Sequence, residues 1–137
     1  MKKRLKKSNK GFSLVELIVV IAIMAVLIGV IAPAFLRYVQ KSKDSADASN
    51  CDTIRRAAIA VLADPTLTTT TGGELYVNGS YSSNTIDGNF KERLDESFTD
   101  DYPEAKQNGK CFKIVVTVDK DTHEFKVEVT LVDKPAE

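Results

Sequence analysis

The chain has 137 residues, enough for one modest domain once any membrane segment is set aside. Its 19 basic and 19 acidic residues cancel formally, but Lys2, Lys3, Arg4, Lys6, Lys7 and Lys10 all precede Gly11. Without those six, the remainder carries 13 basic against 19 acidic residues, a balance of −6 that argues against general nucleic-acid binding through phosphate neutralisation.

After the basic leader, Lys10-Gly11-Phe12 opens an apolar run in which Glu16 is the sole charge before Arg37. Leu17 to Leu36 gives 20 consecutive uncharged positions. At about 1.5 Å per residue they match one crossing of a bilayer core of roughly 30 Å. The positive leader predicts a cytoplasmic N-terminus, with the rest of the chain across the membrane. A secretory signal peptide would explain the leader and Ala32-Pro33-Ala34, but its apolar core is only about 7–15 residues and its cleavage site does not hold a proline. A plain anchor explains the length and leaves Glu16 unexplained.

The run Lys10-Gly11-Phe12-Ser13-Leu14-Val15-Glu16-Leu17-Ile18-Val19-Val20-Ile21-Ala22 resembles the N-terminal signature of type IV prepilins and pseudopilins. In that family a basic leader ends in Gly, followed by Phe or Met and by Glu at the fifth mature position, which here is Glu16. Pro33 stands where the resemblance expects a proline, at the outer end of the membrane helix. The resemblance covers about residues 4–40. It implies cleavage between Gly11 and Phe12 by a membrane prepilin peptidase, methylation of the Phe12 amino group, and entry of the mature subunit into a helical filament. Gly11 suits the cut on its own terms, since a residue without a side chain lets backbone enter a protease cleft closely.

Glu16 sits in the first turn of the expected helix, where the dipole favours an anion by roughly 0.3–1 kcal/mol. The sharper expectation is an ion pair with the Phe12 ammonium, within or between subunits, that sets axial register more than it adds stability. Pro33 cannot bond the Gly29 carbonyl, so Gly29–Pro33 is expected to form a kink or an extensible segment.

The helix is expected to continue from Phe12 to about Ala63, roughly 78 Å, longer than any domain the remaining residues could build. Cys51, Ile54, Ala58 and Val61, widened by Ala57 and Leu62, form its buried stripe, and Asp64-Pro65 ends it. Leu67–Gly73 reads as an exposed loop. Leu75–Val77 and Ser80–Ser82 flank an Asn78-Gly79 turn, and Phe90–Phe98 reads as a short amphipathic helix. Phe112, Ile114, Val116 and Val118 alternate with polar or smaller neighbours, as do Phe125, Val127, Val129 and Leu131, which predicts a C-terminal hairpin. A turn centred on Lys120-Asp121 would oppose Val116 to Phe125, Ile114 to Val127, Phe112 to Val129 and Lys113 to Glu128. The expected fold is α+β, a long N-terminal helix whose second half packs on a small antiparallel sheet.

Three segments follow: a leader (1–11), a membrane and filament-core helix (12–36), and a globular domain (37–137). The last comprises helix to about 63, loops over 64–109 and a hairpin over 110–133. Cys51 and Cys111 are the only cysteines, and an extracytoplasmic compartment favours a disulfide between them, although the hairpin register puts Cys111 on the outer face. Asp119 and Asp121 form a turn too short for an EF-hand, although some pseudopilins bind calcium near this end. His123 stands alone, so no metal site, catalytic group or cofactor is expected.

The expected function is a pilus subunit for adhesion, motility or DNA uptake. The alternatives are a pseudopilin of a secretion or competence system and a membrane-anchored binding or sensory protein. The resemblance implies related pilin subunits, the prepilin peptidase, an assembly platform with its ATPase, and membrane lipid as partners. It places the chain in the cytoplasmic membrane first and in an extracellular or envelope-spanning filament afterwards.

Overall fold

The computed structural model describes residues 11–99, 101–119, 121–122 and 124–135. The leader cations before Gly11, Lys120 and His123 therefore lie outside the described residues. The chain divides into two units, Met1–Gln40 and Lys41–Glu137.

One helix, α1 (Leu14–Leu62), begins in the first unit and continues into the second. In the first unit its apolar side chains are exposed, apart from the half-buried Val39. By length and composition it can cross a membrane. Pro33 lies inside the helix without ending it, although its ring nitrogen removes one rung of the backbone ladder.

In the second unit, α1 buries Ile54, Ala58 and Val61, with Cys51, Ala57 and Leu62 partly covered at the margins of the core. The expected stripe is present, and it extends one turn further back to Asp47, which is 2% exposed. The helix closes on Asp64, whose carboxylate accepts from the Thr66 N–H at 2.8 Å and the Thr66 hydroxyl at 2.7 Å, a side-chain turn that leads the backbone away.

The sheet comprises β1 (Gly72–Asn78), β2 (Tyr81–Asn84), β3 (Lys110–Val118) and β4 (Phe125–Asp133), antiparallel in the order β2-β1-β3-β4. Between β2 and β3 lies α2 (Phe90–Ser97), which buries Phe90 and Leu94 one turn apart, as the spacing predicts. Leu75 and Val77 of β1 and Phe112, Ile114 and Val116 of β3 complete the core against α1.

Two turns differ from expectation. Asn78 pairs with Tyr81, so the first hairpin turns on Gly79-Ser80 rather than Asn78-Gly79. The Asn78 side chain is engaged, its oxygen accepting from the Ala105 N–H at 2.8 Å, while Gly79 supplies the left-handed conformation at φ 55°. In the second hairpin Phe125 opposes Val118, and Val127 opposes Val116. This is a two-residue slip from the expected pairing. A slip of two preserves which side chains face inward, which is why alternation identified the faces and missed the register. Lys113 accordingly faces Thr130, not Glu128, and pairs across β1 with Glu74 at 2.7 Å, beneath the Tyr76 ring.

The threonine run is not a free loop. Asp87 accepts from the Thr70 hydroxyl at 2.7 Å, the Thr70 N–H at 3.0 Å and the Thr71 N–H at 3.1 Å, while Asn89 accepts from the Thr68 N–H at 2.9 Å. Thr69 is buried and donates to the Asp87 carbonyl. The Thr70 hydroxyl, then the Thr70 and Thr71 amides, hold the Asp87 carboxyl well below the usual carboxylate range. A carboxyl depressed in the folded state contributes stability above its unfolded value of about 4 and loses it as pH falls through the folded value. Asp87→Asn should therefore unfold earlier than wild type near neutral pH, with the two thermal midpoints converging as the solution is acidified below about pH 4. Midpoints that fall in parallel, followed by circular dichroism, would contradict this role.

Candidate functional site at the head of the long helix

Gly11, Phe12 and Ser13 lie outside regular structure, and α1 begins at Leu14. Ser13 is the capping residue. Its hydroxyl accepts from the Val15 N–H at 3.3 Å, and its carbonyl accepts the first helical bond, from the Leu17 N–H at 3.2 Å. Glu16 reaches back, its Oε2 accepting from the Ser13 N–H at 2.8 Å. Together these bonds form a reciprocal capping box, in which two otherwise unpaired backbone donors are satisfied by side chains.

The capping bonds of Ser13 and Glu16 were missed in the sequence, where the acid was weighed as a membrane charge, as a first-turn acid favoured by the helix dipole and as a pairing partner. The signal was present: Ser-x-x-Glu immediately before an apolar run is the motif of a capped helix start. The box places the Glu16 carboxylate one peptide unit from the nitrogen that cleavage after Gly11 would free. Phe12 is 92% exposed, so its backbone is open on the chain itself.

The other expected site residues lie apart from this head. Gly29 has open space around its Cα, and Pro33 is one turn further along the same helix. Cys51 and Cys111 are free thiols, so the expected disulfide is not formed in the structure. Alternation along β3 turns Cys111 to the face opposite Phe112 and Ile114, whereas Cys51 packs against the core that those residues build. Cys111 is buried, its sulfur 4.0 Å from the Asp133 carbonyl oxygen, and burial raises its thiol above the ordinary value.

Among the described residues no group of three or more His, Cys, Asp or Glu side chains could share a metal ion. Asp119 is occupied in turn chemistry, accepting from the Asp121 and Thr122 amides at 2.9 and 3.0 Å. These bonds lower its carboxyl.

A family profile described as the prokaryotic N-terminal methylation motif matches residues 6–32. The chain is 31% identical over 126 residues to a protein of Clostridium perfringens named prepilin peptidase-dependent protein A, covering 82% of this chain and 88% of that one. It is also 31% identical over 86 residues to the type IV major fimbrial protein FimA of Dichelobacter nodosus, covering 63% of this chain and 52% of that protein. No solved structure matches the chain. A methylation motif that begins in the leader, a capped apolar helix directly behind it and a four-stranded antiparallel sheet packed on the helix's second half agree with these relatives, and the chain belongs to the type IV pilin and pseudopilin family.

Proposed function

We propose that the chain is a structural subunit of a type IV pilus, made as a prepilin and polymerised after its leader is removed. The observation that carries this reading is the capped helix head. Gly11 and Phe12 stand outside the helix, Ser13 and Glu16 close it, and 20 uncharged positions follow. The name of the Clostridium relative supports a prepilin peptidase as the processing partner, and that of the Dichelobacter relative supports a fimbrial product.

In this reading residues 1–11 leave, Phe12 becomes the methylated terminus, and residues 12–36 exchange lipid for the apolar helices of neighbouring subunits. Residues 37–137 form the exposed domain. The cation-rich leader keeps the precursor's N-terminus on the cytoplasmic side, where the assembly platform and its ATPase would act. Gly29 and Pro33 provide a weakened stretch of helix that can extend when the subunit leaves the membrane.

Mass spectrometry of the intact protein from native cells tests the processing step. The expected mass is that of a chain beginning at Phe12 and carrying one added methyl group. Retention of Met1, or a terminus after Ala34, would overturn the reading. Electron microscopy of the same cells tests the product: extracellular fibres containing this chain are expected, whereas fibres confined to the envelope would assign it to a secretion or competence pseudopilus.

A further inference from the structure

Outside residues 12–38, the exposed large hydrophobic side chains among the described residues are Ile59 and Phe125. Both line one groove, together with Leu62 and Val127. Phe125 also borders a second hollow, shared with Thr117, Val118 and Asp119. It is therefore a ridge between two depressions, 37% exposed and flanked in sequence by Glu124 and Lys126.

The strand register places this ridge at one end of the sheet, since Phe125 opposes Val118 and Gly72 opposes the adjacent Thr117. At the other end Val77 opposes Phe112, and the Gly79-Ser80 turn lies just beyond. From Val118 to Phe112 is about 20 Å at roughly 3.3 Å per residue. At that far end is a hollow of about 210 Å³ lined by Ser80, Lys91, Asp95, Phe98, Asp101 and Tyr102. The Phe98 and Tyr102 rings meet there with centroids 4.9 Å apart. The knob carries Glu124 and Lys126, whereas in the hollow Lys91 is already paired with Asp95, which leaves Asp101 as the charge offered beside its aromatic surface.

We propose that Phe125 of one subunit seats in the Phe98–Tyr102 hollow of a second copy of this chain. Lys126 then faces Asp101 of that copy. The proposal rests on the reading that the chain polymerises, and it names a contact between the globular units. Burial of a phenyl ring against two aromatic rings is the kind of anchor that dominates interface energetics. Because knob and hollow lie at opposite ends of one sheet, a pair of subunits that makes the contact still has one of each to offer. The contact is heterologous and extends head to tail.

The test uses the full chain in its native cells, with filaments sheared from the surface and compared with total subunit. Phe125→Ser should lower filament yield about tenfold or more while leader removal stays normal. Lys126→Glu and Asp101→Lys, both exposed and harmless to the core, should each lower the yield by placing like charges together, and the two combined should restore it. Wild-type filaments with undiminished yield from Phe125→Ser, or a double variant no better than either single one, would overturn the contact and leave polymerisation standing. Wild-type cells that assemble no filament from this chain would overturn both.

Discussion

Asp47→Ala should destabilise the globular unit by about 3 kcal/mol, lowering its thermal midpoint by roughly 10–20 °C. Asp47 is 2% exposed and accepts two backbone N–H bonds, from Lys106 at 2.6 Å and Gln107 at 3.2 Å. Alanine would leave both amides without their acceptor in a part-buried joint, at about 1–3 kcal/mol each. The neighbouring bonds reinforce the same joint. Asn50 donates to the Glu104 carbonyl at 3.2 Å and Gln107 donates to Asp44 at 3.1 Å, so the polar face of α1 holds the segment that leads into β3. Asp47→Asn keeps one acceptor oxygen and should lose roughly half as much. Thermal unfolding of the full chain in detergent micelles gives the magnitude, and hydrogen exchange gives the location. Protection should fall first at Lys106 and Gln107. A midpoint unmoved by alanine, or protection retained at those two amides, would show that the loop is held by something else.

The features legible in the sequence are those whose cause is local. The helix stripe at Ile54, Ala58 and Val61 followed from spacing alone, as did α2 from Phe90 and Leu94, because a 3.6-residue period reports which side is buried. Asp47 sits on the same stripe and was unreadable, since the groups that justify its burial lie 59 and 60 residues away. Strand alternation likewise revealed the inner faces of β3 and β4 but not their pairing. The threonine run looked like solvent-exposed loop because its partner, Asp87, is contributed by the far side of the β1–β2 hairpin. The β1–β3 pairing, which brings Glu74 to Lys113, is equally non-local. At the helix head the order was reversed. The capping motif at Ser13 and Glu16 is entirely local, and it was overlooked because a carboxylate ahead of an apolar run invites a long-range explanation.

That double reading of Glu16 can be separated by experiment. As a cap it satisfies the Ser13 N–H in the precursor, a contribution of about 1 kcal/mol to the first turn. As an ion-pair partner it would act only after cleavage, when the Phe12 nitrogen becomes a cation beside a carboxylate already positioned at the next amide. Glutamine tells the two apart, because Gln serves in a capping box as Glu does but carries no charge. If the pair governs assembly, Glu16→Gln should fail as completely as Glu16→Ala. Each should insert in the membrane and lose its leader normally. Each should then lose roughly 3 kcal/mol in subunit addition, or about a hundredfold in filament yield, because the Phe12 ammonium would enter a dry bundle without a counter-charge. Sheared filaments normalised to membrane-inserted, leader-free subunit provide the measurement. Wild-type yield from Glu16→Gln with loss in Glu16→Ala would assign the residue to helix capping alone, and the register of the filament would then have to come from shape and from contacts between the globular units.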